Sequence, residues 1–249
     1  MGHVIKSVVV AVAVFALWAS SGTAVSGLER DPRWRTGGDI RACSAPIWPE
    51  ATNVSGPGEG KRVLVIGDSL TRNSSDMLRT TLRKSGWTPT IRCFGGKRID
   101  WAIDQLREQK TWKGIPQTVI IAMGTNDMRW IDRRITSQRI DDLLNRLGPN
   151  RNVMWINTFG GTGDRFSKQK QKWFNNTLDA KVAKRPNVIV MPWDQIAKTA
   201  NVKLSSAIHY TYPGYRLRTR ETVRLLNSEF GRPTIPVPTP MPIPQVTPQ

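Results

Sequence analysis

Predicted strands alternate with helical stretches along most of this chain, and that alternation restricts its fold more than any other feature of the sequence. The predicted strands, each short enough to be one buried strand, are residues 63–66, 88–93, 118–123, 152–156 and 187–191. The helical stretches are residues 72–84, 100–108, 135–147 and 168–184, followed by a last helix that Pro213 opens and that ends near Gly231. The pattern predicts an α/β fold, a three-layer sandwich in which a central parallel sheet of about five strands lies between two layers of helices.

The composition changes at both ends of this alternating region. Residues 1–26 carry a lysine before an apolar run and then small residues, which is typical of a signal peptide. A retained membrane anchor is the alternative, but the run is shorter than the roughly 20 residues that span a bilayer. Residues 27–60 predict an irregular N-terminal arm, and residues 232–249 predict a proline-rich flexible tail. We therefore expect a single domain over residues 61–231, secreted or extracytoplasmic, with no stable membrane span after signal cleavage.

The chain has two cysteines, one in the predicted arm and one at the end of the second predicted strand. In an oxidising compartment such a pair can close, so we expect a disulfide between Cys43 and Cys93 that ties the arm to the domain. Two unrelated buried thiols are the alternative.

The chain is strongly basic, with a formal net charge of +18. Such a charge attracts anionic polymers whatever the fold. Nucleic acid is one reading, but the lysines and arginines are spread along the chain, and neither a basic arm nor a nucleic-acid-binding motif is present. We expect no nucleic-acid partner and regard an anionic cell-envelope surface as the partner that fits an exported protein.

Polar residues follow the first and third predicted strands. Ser69 comes after the first strand and Asn126 after the third, and the carboxyl ends of parallel strands share one edge of a sheet. His209 precedes the last helix and is the only histidine beyond the signal peptide, so it is the only candidate for a histidine base. Each residue alone also fits an ordinary structural role, such as a turn, a helix cap or a core histidine. Their significance therefore depends on their occurring together.

These residues stand in blocks that resemble the SGNH (GDSL) hydrolase family in order and spacing. The blocks are Gly67-Asp68-Ser69-Leu70, a glycine at position 95 or 96, Gly124-Thr125-Asn126-Asp127, and His209. The resemblance covers about residues 61–231. Four blocks in order, each at its expected strand end, are more specific than any one of them. Further features, such as Trp193 after the fifth predicted strand, resemble those of the extracytoplasmic SGNH domains of esterases and sugar O-acyltransferases.

The resemblance implies a role for each matching residue. Ser69 would be the nucleophile and His209 the general base. The oxyanion hole would consist of the Ser69 amide, the Gly96 amide and the Asn126 side chain, with Gly95 as the alternative to Gly96. A tetrahedral acyl-transfer intermediate carries negative charge on one oxygen, which needs such fixed donors.

One position departs from the family pattern. The family has an aspartate three residues before the histidine, and this chain has Ser206 there. A carboxylate at that place orients the imidazole and stabilises the imidazolium. Three explanations remain open: a working dyad oriented by Ser206 or a backbone carbonyl, an acid supplied by Asp127 or Asp194, or a catalytically silent fold.

The function expected from these features is a serine esterase or O-acyltransferase acting on acylated glycans or glycolipids of the cell envelope. Tyr210 and Tyr212, which adjoin the histidine, are expected to bind the substrate. We expect no cofactor, and no metal, since one mature histidine leaves too few ligands for zinc. A catalytically impaired SGNH fold that binds carbohydrate or the cell envelope is the alternative.

Overall fold

The computed structural model of this protein describes Cys43 and residues 62–130, 132–160 and 167–231. The predicted signal peptide, the rest of the N-terminal arm and the proline-rich tail lie outside the described residues. The predictions made for those three segments therefore stay predictions.

The centre of the fold is a sheet of five parallel strands in the order β2-β1-β3-β4-β5. The strands are β1 (Arg62–Gly67), β2 (Thr88–Cys93), β3 (Thr118–Ala122), β4 (Asn152–Ile156) and β5 (Val188–Met191). This confirms the predicted α/β class and the number of strands.

Eight helices accompany the strands within the part of the chain that the structure describes. They are α1 (Ser69–Arg72), α2 (Ser75–Lys84), α3 (Ile99–Lys113), α4 (Asp127–Trp130), α5 (Arg133–Leu147), α6 (Lys168–Val182), α7 (Trp193–Thr199) and α8 (Tyr212–Phe230). At least one helix lies between each strand and the next along the chain, as the crossover connections of a parallel sheet require.

The sheet is covered on both faces, which gives three layers. Val63 and Val65 of β1 belong to one apolar cluster, which contains side chains of α2, α7 and α8. Leu64 and Ile66 belong to a second cluster, which contains side chains of α3, α5 and α6. Because successive side chains of a strand point to opposite faces, a strand buried on both faces must be apolar throughout. Residues 63–66 of β1, all apolar and fully buried, meet this requirement.

The strand register brings three loops together at one edge of the sheet. Gly67, the last residue of β1, lies beside Cys93 of β2 and Ala122 of β3. The segments that follow these strands carry Ser69, Gly96 and Asn126, so the backbone positions them at the same edge.

The first predicted helix is divided in the structure. The pattern indicated one helix over residues 72–84, but α1 ends at Arg72 and α2 begins at Ser75. The hydroxyl of Ser74 donates to the carbonyl oxygen of Leu70 at 3.0 Å, a local bond that competes with regular helix bonding. The division keeps the short helix that bears Ser69 separate from the long helix that packs on the sheet.

The structure contains a disulfide between Cys43 and Cys93, whose Cα atoms are 5.2 Å apart. The backbone amide of Cys43 also donates to the carbonyl oxygen of Cys93 at 2.9 Å, and both side chains are buried.

Among the described residues, no helix combines the length and the apolar character needed to cross a bilayer.

Candidate active site

Ser69 is the first residue of α1, directly beyond the carboxyl end of β1. The carboxylate of Asp68 caps this helix by accepting from the Leu70 amide at 3.0 Å. The Ser69 amide precedes the first intrahelical bond and has no acceptor within its own helix. The local sequence thus presents a hydroxyl and an amide of one residue at the edge of the sheet.

His209 is held by a tight turn before α8. Leu204 and Tyr210 form an isolated antiparallel bridge, and the carbonyl oxygen of His209 accepts from the Ser205 amide at 2.7 Å. The Ser205 hydroxyl donates to the carbonyl oxygens of His209 and Tyr210 at 3.2 and 3.1 Å. These bonds fix the backbone from which the imidazole extends toward Ser69.

Ser69, His209 and Ser206 form a continuous hydrogen-bonded line. Nε2 of His209 lies 3.0 Å from Oγ of Ser69, and Nδ1 lies 2.9 Å from Oγ of Ser206. If Ser69 donates its proton to Nε2, then Nδ1 must carry the ring hydrogen and donate it to Ser206. The Ser206 hydroxyl also accepts from the His209 amide at 3.3 Å, so the same oxygen holds the ring and the backbone of the histidine.

The imidazole is weakly basic for a histidine. Partial burial lowers the pKa of His209 below its ordinary value, and the nearby charge of Arg72 lowers it further. Both causes disfavour the imidazolium form. The neutral form, which a general base needs, is therefore favoured at neutral pH.

The side chain of Asn126 is buried at the same edge, after β3. Its Nδ2 donates to the carbonyl oxygen of Lys97 at 3.0 Å and makes a longer contact of 3.5 Å with the Asp68 carboxylate. The first bond ties the loop after β3 to the loop after β2. The second is at the limit of hydrogen-bond length, so one amide hydrogen is only weakly engaged.

Two glycines shape the loops around Asn126. Gly124 has a φ of +127°, and a Cβ at this position would lie 2.1 Å from the ring of Phe174. Gly96 has a φ of +78°, also in the left-handed region, but a Cβ there would meet open space. A side chain is therefore excluded at Gly124 by packing and conformation together, and disfavoured at Gly96 by conformation alone.

The two substitute acids have other partners. Asp127 accepts from the Ile99 amide with both carboxylate oxygens at 3.2 Å and so caps α3. Asp194 accepts from Nδ2 of Asn157 at 2.6 Å. Ser206, and neither aspartate, contacts Nδ1 of His209. Of the three explanations left open by the sequence, an acid supplied by Asp127 or Asp194 does not agree with these contacts, because each carboxylate is bound within its own part of the structure.

Asp68, the residue before the nucleophile, has a buried carboxyl group. Burial raises the pKa of Asp68 to about 6, while the Leu70 amide and the positive charge of Arg218 oppose the rise. Arg218 is itself buried in α8. The helix cap of α1 thus belongs to an electrostatic network that includes α8.

The two tyrosines next to His209 are placed differently from each other. Tyr210 is 2% exposed, and its hydroxyl donates to the Phe159 carbonyl oxygen and accepts from Nε1 of Trp193, both at 2.8 Å. The expectation that Tyr210 lines a substrate pocket does not agree with this burial; its ring fixes the histidine turn against the core. Tyr212 is 67% exposed at the start of α8, where it is open to a ligand.

Sequence reasoning missed Arg72, which lies one helical turn after Ser69. The available signal was the spacing, since residues three apart share a helix face.

Within the described ranges, no three histidine, cysteine, aspartate or glutamate side chains come close enough to share a metal ion.

Comparison with known proteins shows similarity in structure. No protein-family model matches the sequence, and no curated protein matches it. The C-terminal catalytic domain of peptidoglycan O-acetyltransferase A from Streptococcus pneumoniae superposes with a TM-score of 0.56 at 17% identity, over 70% of this chain and 96% of that domain. A lipase/acylhydrolase from Enterococcus faecalis superposes with a TM-score of 0.57 at 17% identity, over 68% of this chain and 96% of the other.

A third structure is a member of the lipolytic G-D-S-L family from Veillonella parvula. It superposes with a TM-score of 0.56 at 15% identity, over 67% of this chain and 98% of the other. At these identities the likeness concerns the fold alone. The resemblance to the SGNH hydrolases that the sequence motifs indicated is confirmed at that level.

Proposed function

We propose that this protein is an extracytoplasmic serine esterase or O-acyltransferase of the SGNH type. One observation carries the proposal: Oγ of Ser69 lies 3.0 Å from Nε2 of His209 at the carboxyl edge of a parallel sheet. A hydroxyl and an imidazole in this contact are the minimum apparatus for nucleophilic acyl transfer.

In the proposed reaction, Oγ of Ser69 attacks the carbonyl carbon of an ester while His209 takes the hydroxyl proton on Nε2. The C–O bond to the leaving alcohol then breaks, and the imidazolium returns the proton to the alcohol oxygen. The product is an acyl group esterified to Ser69. Water or a second hydroxyl group then attacks this ester while His209 accepts its proton. The bond between the acyl carbon and Oγ breaks, and the imidazolium returns the proton to Oγ of Ser69.

The negative charge of each tetrahedral intermediate needs hydrogen-bond donors. We assign this role to the Ser69 amide, the Gly96 amide and the second amide hydrogen of Asn126. The Ser69 amide lacks an intrahelical acceptor, and the second amide hydrogen of Asn126 makes only the 3.5 Å contact with Asp68. The open space beside Gly96 supports this assignment, because a reacting carbonyl needs room there.

Ser206 replaces the usual carboxylate in this proposal. The proposal requires its hydroxyl to accept from Nδ1 of His209 across the 2.9 Å contact, so that Nε2 is free to take the Ser69 proton. Ser206 is exposed to solvent, so water adds to the stabilisation of the imidazolium that the neutral hydroxyl gives. A binding module without catalysis is not favoured, because such a module has no need for the contact between Ser69 and His209.

The proposed substrates are acylated glycans or glycolipids of the cell envelope. Support comes from the similarity in fold to a peptidoglycan O-acetyltransferase domain and from the basic charge of the chain. The disulfide supports an oxidising compartment, as does the apolar N-terminal sequence.

Hydrolysis of p-nitrophenyl acetate by the purified protein tests the proposal. We expect turnover that Ser69→Ala removes and that His209→Gln lowers by a factor on the order of 10³ or more. Ser228→Ala, which changes an exposed serine at the far end of α8, is the matched control and should keep full activity. Addition of glycan oligosaccharides then separates the two reactions, since a transferase yields acetylated sugar and a hydrolase yields acetate. Equal turnover by Ser69→Ala and the parent protein would contradict the proposal.

A further inference from the structure

Two cations border the candidate active site. Arg72 lies on α1, three residues after Ser69, and Lys97 lies in the loop after β2, where its carbonyl oxygen binds Asn126. Both side chains are partly exposed. In the part of the chain that the structure describes, neither forms an ion pair with a carboxylate. Within those described ranges, the rim of the site therefore carries positive charge with no carboxylate paired to it.

Arg72 is oriented by a short chain of hydrogen bonds. Its Nη1 donates to Oδ1 of Asn73 at 2.9 Å, and Nδ2 of Asn73 donates to the hydroxyl of Tyr215 at 2.9 Å. The ring of Tyr215 packs against Tyr210, with centroids 5.3 Å apart, so the chain leads back to the turn that holds the histidine. Among the described residues, the bond to Asn73 is the one hydrogen bond that the guanidinium makes. Its other donors have no acceptor within the described ranges, so a ligand could engage them.

Without a bound anion, the positive charge of Arg72 is unfavourable for the proposed reaction. Proton transfer from Ser69 makes His209 positive. Partial burial, and after it the charge of Arg72, lower the pKa of His209 and so oppose this step. At the place of the usual aspartate, Ser206 offers no negative charge to offset it. An anion bound to Arg72 would cancel the repulsion and would place negative charge near the imidazolium.

We propose that Arg72 forms an anion subsite beside Ser69 and His209, and that the natural substrate carries a carboxylate or phosphate close to its ester. This inference rests on the proposed function and adds the charge of the substrate to it. A guanidinium with free donors binds either anion by charge-assisted, often bidentate hydrogen bonds. The net charge of +18 also favours encounter with such substrates.

The subsite predicts a preference that can be measured with matched esters. The probes are 4-acetoxybenzoate and 4-acetoxyphenyl phosphate, each compared with its uncharged methyl or dimethyl ester. The quantity measured is the ratio of kcat/KM for the anionic ester to kcat/KM for the neutral one. Because both members of a pair carry the same acetyl group, a general loss of catalysis cancels in this ratio.

Arg72→Gln should lower the ratio about tenfold for at least one pair, the size expected for loss of a partly exposed charged hydrogen bond. Arg72→Lys, which keeps the charge, should retain a higher ratio than Arg72→Gln. The matched control is Arg146→Gln, which removes an exposed arginine in the last turn of α5, at the opposite edge of the sheet. It should leave both ratios at their parent values.

The two anionic probes also distinguish the source of the charge. A larger fall for the phosphate pair identifies a phosphate-bearing substrate, and a larger fall for the benzoate pair identifies a carboxylate. An unchanged ratio for both pairs in Arg72→Gln, with both esters still hydrolysed, would overturn the anion subsite alone. Failure of the parent protein to hydrolyse any of the esters would instead refute the proposed function together with the subsite.

Discussion

Oγ of Ser206 lies 2.9 Å from Nδ1 of His209, while Nε2 of the same ring lies 3.0 Å from Ser69. A neutral hydroxyl thus stands where SGNH hydrolases place a carboxylate. It can fix the ring tautomer by accepting from Nδ1, but it cannot supply the negative charge that stabilises an imidazolium. The proposed enzyme is therefore a dyad whose third member gives orientation without charge.

The Ser206 position gives a prediction in which charge and shape are separated. Ser206→Asp should raise kcat/KM for p-nitrophenyl acetate by roughly tenfold, because an opposite charge at hydrogen-bond distance favours the imidazolium of the transition state by about one pKa unit or more. Ser206→Asn is the control, because asparagine has the shape of aspartate without its charge, and it should give no gain. A loss of activity in Ser206→Asp would mean that the serine itself is required.

The pH dependence follows from the lowered pKa of His209. The base is active when neutral, so kcat/KM should be constant at high pH and should fall as pH drops through the pKa of the folded protein. Since partial burial and Arg72 both lower that pKa, the midpoint should lie below 6.5. In Arg72→Gln the midpoint should move upward. A pH–rate profile from about pH 4.5 to about 9 measures both, and a parent midpoint above 6.5 would contradict the lowering by burial and Arg72.

Asn126 should matter more for turnover than for folding. Asn126→Ala removes an oxyanion donor, and such losses typically lower kcat by about 10²–10³-fold. It also removes the 3.0 Å bond to Lys97, whose net contribution to stability is about 1 kcal/mol. Parallel measurement of kcat and thermal unfolding separates the two effects. A fall in kcat of less than about fivefold would exclude Asn126 from the oxyanion hole.

The disulfide should contribute stability rather than chemistry. Cys43 and Cys93 are 50 residues apart, and closing a loop of this size restricts the unfolded chain by roughly 2–4 kcal/mol. Dithiothreitol should therefore lower the Tm of the parent protein. The double variant Cys43→Ser/Cys93→Ser should unfold at the lower temperature with or without the reductant. If reduction leaves the Tm of the parent unchanged, the disulfide does not stabilise the fold.

The features that the sequence predicted well are those set by local pattern. The second and fourth strands have the bounds expected from their sequences, because a buried parallel strand is a short segment bounded by turn residues. The last helix begins beside Pro213 and ends before Gly231, which has a φ of +77°, as proline and glycine preferences at helix ends require. The contact between Ser69 and His209, residues 140 positions apart, was accessible only through the resemblance of the motifs.

The features that the sequence did not reveal depend on distant partners. Tyr210 was expected at the surface of the site, but its hydroxyl finds Phe159 and Trp193 in the core. The burial of Arg218 likewise depends on how α8 packs over the loop that holds Asp68, which a helical pattern alone does not specify. Tertiary contacts of this kind override the ordinary preference of a polar side chain for the surface.

The most direct test of the account is covalent labelling by a fluorophosphonate, which reacts with an activated serine. We predict one adduct per chain, located by mass spectrometry on the tryptic peptide of residues 63–72, in which Ser69 is the only serine. Ser69→Ala should prevent the adduct, and His209→Gln should slow its formation strongly. An unlabelled parent protein, or an adduct on a different peptide, would contradict the claim that Ser69 is a nucleophile activated by His209.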